Sequence, residues 1–261
     1  MTGDYRQRLK RRLPGARDRQ AMDRMVSLQK QLQKDLAGLR RQLRGNEDIH
    51  VVVEDAQFEL LAKLVFGHGQ TVLGRDRLWI LWQAVRNTAT LGGAAAEVGT
   101  YRGGSAYFIA GAFVAQLGHE VPVEVIDTFE GHPEDKLSEH DGAVHHKPKT
   151  FTQTSYERVR DYLSAFELVT VHAGEFTVVA PNLPERDYGF VHVDVDLYEA
   201  MFDCLRYFGP RLLPGGVIVL DDYGSKHAGG VRKAAEEYLA EADGFQSWHP
   251  HTKQLVLVRR G

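Results

Sequence analysis

Four carboxylates close two short apolar runs within residues 189–223, and their spacing points to metal chemistry. Phe190 to Val195 reads as a strand that delivers Asp194 and Asp196, and Val217 to Leu220 as a second that delivers Asp221 and Asp222. Short runs rich in β-branched residues are what a strand covered on both faces looks like. An amphipathic helix fits between them. If the strands are parallel neighbours, all four acids emerge at the same carboxyl-terminal edge of a sheet. Like charges crowded together raise one another's pKa, so a compensating cation is expected there. The first expectation is therefore a divalent metal site.

A second constellation lies upstream. Ala94 to Val98 reads as a short buried strand, followed by Gly99-Thr-Tyr-Arg-Gly-Gly-Ser105 and a helix from Ser105 to Leu117. Gly99 allows a tight turn, Gly103 and Gly104 allow close backbone approach, and Ser105 is expected to cap the helix. The glycine spacing is neither the dinucleotide pattern nor a P-loop, since no Lys-Ser/Thr pair follows. The next strand, Val121 to Ile126, ends at Asp127, where an acid can take both hydroxyls of a ribose. A ribose acid beside a loop with no phosphate cradle suits S-adenosylmethionine. Between residues 130 and 152 a polar segment carries His132, His140, His145 and His146, rivals for any proton-abstracting role because imidazole titrates near neutrality. Most histidines in a polar loop are simply solvated, and His227 is a weaker candidate.

The elements that must position these residues alternate strand and helix from Ala94 onward, which argues a doubly wound α/β sheet. Helices are expected over Asp55–Phe66, within 71–90, over Ser155–Phe166 and over Val231–Ala242, and a strand over Leu168–His172. Phe245–Trp248 and Leu255–Val258 read as an antiparallel hairpin at the sheet edge. Trp79, Leu81, Trp82 and Val85 read as core, and nothing around Arg75–Arg77 calls for chemistry. Residues 1–50 form a basic arm, with residues 51–261 as the main domain. From Arg17 to Arg44 an apolar stripe through Met25, Leu28, Leu32, Leu36, Leu39 and Leu43 keeps helical period, with Gly45 as its stop. It would pack on its own domain or pair with a second copy in a homodimer.

The 261 residues carry 26% charged and 43% hydrophobic side chains with a net charge of -3, which gives no electrostatic case for nucleic acid or a membrane surface. Cys204 stands alone, so neither a disulfide framework nor a thiolate metal site is available, and it reads as a buried small hydrophobe. No apolar run approaches the ~20 residues of a bilayer span. No signal peptide is evident, and a cytoplasmic location is the default expectation.

Four segments together, AEVGTYRGGS (Ala96–Ser105), IDTFEG (Ile126–Gly131), HVDVDLYE (His192–Glu199) and LPGGVIVLDDYG (Leu213–Gly224), resemble the macrocin O-methyltransferase (TylF/MycF/NovP-like) family, from about Thr71 to Tyr238. The resemblance implies a Rossmann-like class I methyltransferase fold, a mostly parallel seven-stranded sheet with helices on both faces. It further implies Mg²⁺ dependence and transfer of a methyl group from S-adenosylmethionine to a hydroxyl, often on a sugar of a glycosylated compound. By the same resemblance Asp194, Asp221 and Asp222 are metal ligands and Asp196 is the general base, with His145 and His146 as further catalytic candidates. The competing reading of Asp196 is an N-cap for a helix starting at Leu197, with Glu199 at its third position. The cofactor set carried over is Thr71, Glu97, Gly99, Thr100, Tyr101, Gly103, Ser105, Asp127, Thr128, Gly174, Glu175, Phe176 and Asp194, with Glu175–Phe176 facing the adenine and Thr71 the methionine carboxylate. A phenolic or catechol-type acceptor, and a non-catalytic binding module, are the alternatives.

Overall fold

The computed structural model describes residues 55–132, 138–141 and 150–261. The basic arm with its apolar stripe, His145 and His146 lie outside the described residues. The chain divides into two compact units, Met1–Leu60 and Leu61–Gly261. Of the first, the described part is the opening of helix α1 (Ala56–Gly67), where Asp55 Oδ1 accepts from Phe58 N at 3.2 Å.

In the second unit α2 (Arg75–Thr88) is followed by β1 (Ala94–Val98), α3 (Gly104–Leu117), β2 (Val123–Asp127), α4 (Tyr156–Leu163) and β3 (Val169–Ala173). Then come α5 (Phe176–Val179), β4 (Tyr188–Val193), α6 (Tyr198–Phe208), β5 (Leu212–Leu220), α7 (Gly229–Glu241), β6 (Phe245–Trp248) and β7 (Leu255–Arg259). The strands form one seven-stranded sheet in the order β3-β2-β1-β4-β5-β7-β6. Its first five strands are parallel, while β7 runs antiparallel between β5 and β6. This is the expected mostly parallel sheet with the antiparallel pair at its edge.

Every residue of β1 and β4 is buried, as a strand covered on both faces must be. Alternation along β4 sorts its side chains. Phe190 meets Phe113 of α3 at 6.2 Å between ring centroids, on the face where Trp82 of α2 meets Phe108. Val191 and Val193 join the opposite core with Met201, Leu205 and Phe208 of α6 and Val231 and Ala235 of α7. His192 therefore shares a face with Phe190 and points toward the α2 side. Cys204 is fully buried, as expected. Trp79 departs from the sequence reading: it is only half-buried, whereas Leu81, Trp82 and Val85 are fully enclosed. Among the described residues, no helix is long and apolar enough to cross a membrane.

Candidate active site

Strand order reverses direction between β1 and β4, the place where an open α/β sheet parts beyond its strand ends to admit a ligand. Both chains leave the sheet there in close contact. The Asp194 amide donates to Val98 O at 2.8 Å, one step past the end of β4. Gly99, just past β1, has φ +87°, and a Cβ there would stand 2.0 Å from Asp194 O. Only glycine fits this crossing. A cleft of about 360 Å³ opens beyond it, with Asp127 and Phe176 on its β2–β3 side, Asp194, Asp196 and Asp222 on its β4–β5 side, and Gly99 against Asp194 between them.

At the first end, β2 ends on Asp127, whose Oδ2 accepts from Tyr101 N at 2.7 Å and whose Oδ1 accepts from Phe129 N at 2.8 Å. Burial raises its pKa, and the two backbone donors work against that rise. The carboxylate is thus aimed by two turns, and each oxygen retains a lone pair for a ligand hydroxyl. Expected cofactor residues Gly99, Tyr101, Asp127, Thr128, Gly174, Glu175, Phe176 and Asp194 line the cleft; Thr71, Glu97, Thr100, Gly103 and Ser105 are not in its walls. Ser105 does not cap α3. Gly103 takes that position with φ +82° and α3 starts at Gly104, so Ser105 falls inside the first turn. Gly104 has a different reason to be glycine, because a Cβ would stand 2.6 Å from Gln70 O and 2.7 Å from Thr71 N. Thr71 is thereby held over the start of α3, its Oγ1 accepting from Leu73 N at 3.1 Å.

At the second end the carboxylates converge in two overlapping groups. Asp194, Asp196 and Asp222 bring ligand atoms within 4.8 Å of one another, and so do His192, Asp194 and Asp221. Asp221 is fixed from behind: its Oδ1 accepts from Arg77 Nη1 at 2.9 Å and from the Asp222 amide at 2.7 Å. Its Oδ2 is buried without a hydrogen-bond partner, 3.7 Å from His192 Nε2. His192 Nδ1 lies 2.8 Å from Glu97 Oε1, so a line of charges runs through the sheet from Glu97 to Arg77. Burial alone would lower the His192 pKa, but Asp221 and Glu97 outweigh it and raise it to about 10. Burial disfavours the Asp221 carboxylate too, yet His192 and Arg77 hold it below its ordinary range. For Asp194, His192 pulls the same way but is outweighed. Burial, then Asp221 and Asp196, push Asp194 well above the usual range, and Asp222 rises to about 6 through burial and the same neighbours. Asp194, Asp196 and Asp222 offer oxygen donors alone, and carboxylates unwilling to ionise together are what a bound Mg²⁺ would resolve; these residues fit that ion, while Asp221 groups with the His192 nitrogen and is not in the cleft wall.

The capping role for Asp196 fails. The strand ends at Val193 rather than Val195, Asp196 adopts φ +61°, and Leu197 is the N-cap of α6. The helix takes its cap from a distant residue: Asp141 Oδ1 accepts from Tyr198 N at 2.7 Å, while its Oδ2 accepts from Ser138 N at 2.8 Å and from Ser138 Oγ at 2.6 Å. Asp196 is left facing the cleft. Of the loop histidines, His132 joins it there with Nε2 3.3 Å from Asp196 Oδ2, whereas His140 packs edge-on against Tyr198 and His227 is exposed. The region around Arg75–Arg77 does take part in the site, through Arg77. Lys253 on the β6–β7 turn also lines the cleft, with Nζ 3.7 Å from Asp222 Oδ1. Sequence spacing could not have found either cation, since Arg77 and Asp221 are 144 positions apart.

The sequence pattern of the family described as macrocin-O-methyltransferase (TylF) matches residues 18–246. A 4'-O-methyltransferase of 8-demethyl-8-(2,3-dimethoxy-alpha-L-rhamnosyl)-tetracenomycin C from Streptomyces olivaceus is 30% identical over 217 residues, 76% of this chain and 82% of its own length. Demethyldecarbamoylnovobiocin O-methyltransferase from Streptomyces niveus is 27% identical over 185 residues, 67% of this chain and 70% of its own. The solved structure of the O-methyltransferase NovP superposes with a TM-score of 0.68 at 23% identity, covering 78% of this chain and 98% of that one, which supports the fold.

Proposed function

The chain belongs to the macrocin-O-methyltransferase family and is an O-methyltransferase, and from that premise we propose that it methylates a sugar hydroxyl in a glycoside or oligosaccharide, using S-adenosylmethionine with Mg²⁺ at the carboxylate cluster. The observation that carries the reading is the single cleft joining the ribose-type acid Asp127 to the acidic cluster Asp194, Asp196 and Asp222. The relative from Streptomyces olivaceus, whose name specifies a rhamnosyl compound and a 4'-hydroxyl, points to a sugar rather than a phenol.

When bound, the sulfonium supplies an electrophilic methyl group and the cation a Lewis acid that acidifies a coordinated hydroxyl. The chain's own residues do the rest. Asp127 holds the ribose, with its two oxygens pre-aimed by Tyr101 N and Phe129 N. Asp194, Asp221 and Asp222 would hold the cation, with Arg77 fixing Asp221 from behind. Asp196 takes the hydroxyl proton as the acceptor oxygen attacks, and Phe151 and Val72 add apolar surface to the cleft wall.

The test is methyl transfer from isotopically labelled S-adenosylmethionine to a panel of α-L-rhamnosyl and other glycosides, read by mass spectrometry with MgCl₂ or with EDTA. Labelled methyl on a glycoside, lost in EDTA and restored by Mg²⁺, is the expected result. Transfer that survives chelation removes the metal from the reading, and transfer to catechols but to no glycoside removes the sugar.

A further inference from the structure

We propose that His132 is a positioning residue for Asp196, carried on the same turn that grips the methyl donor; this rests on the reading of Asp196 as the proton acceptor. The two side chains are 10% and 14% exposed, and His132 Nε2 stands 3.3 Å from Asp196 Oδ2. That distance is slightly beyond the usual N–H···O range, and contacts of this kind tighten once substrate closes the site. Asp196 needs such a hold. It sits in a left-handed turn between β4 and α6, and the α6 amides take their cap from Asp141. Its carboxylate would otherwise choose freely among rotamers, toward the cation cluster or toward the acceptor.

The turn that presents His132 is stiff. Asp127 Oδ1 accepts from Phe129 N, Thr128 Oγ1 donates to Gly131 O at 3.1 Å, and the same oxygen accepts from Glu130 N at 3.2 Å. Beyond it, the His132 amide donates to Thr150 O at 3.2 Å, and the Phe151 ring meets the imidazole edge-on with centroids 5.4 Å apart. The backbone from 127 to 132 therefore ties two functions together: its first residue faces the ribose position and its last holds the carboxylate beside the acceptor. A methyl donor that settles on Asp127 also settles the residue that aligns Asp196. His132 acts through Asp196, so it is not a rival base.

The first test needs no acceptor. In protein labelled with ¹⁵N-histidine, long-range ¹H–¹⁵N spectra show which ring nitrogen carries the proton, and His132→Gln identifies the resonance. The expected result is a His132 that is protonated at Nε2 and whose Nε2 resonance shifts in Asp196→Asn; a resonance unmoved by Asp196→Asn overturns the proposal. The second test uses a glycoside that the wild-type enzyme methylates. His132→Ala should lower kcat by roughly 10–100-fold with acceptor KM and S-adenosylhomocysteine affinity held within about twofold. His132→Gln, whose amide nitrogen falls near the place of Nε2, should recover kcat to within about fivefold of wild type. A His132→Ala enzyme with wild-type kcat refutes the positioning role alone. Full activity in Asp196→Ala refutes the base assignment on which it stands.

Discussion

Replacing Arg77 by Met isolates the energetic logic of the acidic end. The Arg77 guanidinium donates to Asp221 Oδ1 at 2.9 Å, with side-chain exposures of 16% and 0%. Met keeps much of the buried stem and removes the charge. Breaking a buried pair by deleting one partner costs about 3–5 kcal/mol, because the remaining charge stays buried without its counterion. Two features bring the expected loss to about 3 kcal/mol, the low end of that range: Arg77 is partly solvated, and His192 stays beside Asp221. For a domain of this size that is a fall in Tm of about 6–12 °C in calorimetry with EDTA present. The pH dependence follows from the direction of the shift. Asp221 is held below its ordinary range, so its stabilising pairing is complete above the unfolded carboxylate pKa and fades as pH falls through the lower folded value. The gap between wild type and Arg77→Met should thus be full near neutrality and narrow in acid. A Tm within about 2 °C of wild type at neutral pH, or a gap that widens in acid, would refute this account of Asp221.

Other changes probe separate joints. Gly99→Ala forces a Cβ to within 2.0 Å of Asp194 O in a left-handed backbone; the strain alone is about 1–2 kcal/mol before the overlap is relieved, so soluble yield and S-adenosylhomocysteine binding by calorimetry should both collapse. Asp141→Ala strands the Tyr198 amide and the Ser138 donors; a loss of about 1–2 kcal/mol by denaturant titration is expected, with Asp141→Asn recovering only part of it, since its one acceptor oxygen serves Tyr198 N or Ser138 but not both. For the N-terminal arm, light scattering of a chain starting at Glu47 should give about two-fifths of the full chain's mass, a shortened monomer against a full-length dimer, if the Met25–Leu43 stripe pairs two copies.

The repeating texture of strand, glycine loop and helix was enough to read the parallel sheet from the sequence, because apolar runs and turn residues are local signals. Strand ends were read to within a few residues, which sufficed to bring Asp194 and Asp221 to one edge. What escaped was non-local. Ser105 satisfies the residue preference of a cap, yet the backbone turns two residues earlier at Gly103, where a left-handed φ opens the helix and Gly104 packs against Gln70 and Thr71. Asp196 likewise fits a capping pattern, but Asp141 reaches the α6 amide from 57 positions away. Arg77 looked like the charged start of an amphipathic helix, and only the packing of α2 over β5 turns it toward Asp221. His192 sat within a recognised segment without a role, since its neighbours lie on other elements, Glu97 on β1 and Asp221 just past the end of β5.

The claim at the centre is that the carboxylate cluster holds a divalent ion beside the methyl donor. Titration with Mn²⁺, followed by electron paramagnetic resonance in wild type, Asp194→Asn and Asp222→Asn, tests it most directly. The account predicts saturable binding in wild type, displaced by Mg²⁺ and lost in both variants, while S-adenosylhomocysteine still binds each of them. Equal Mn²⁺ binding in all three proteins, or none in wild type, would contradict it.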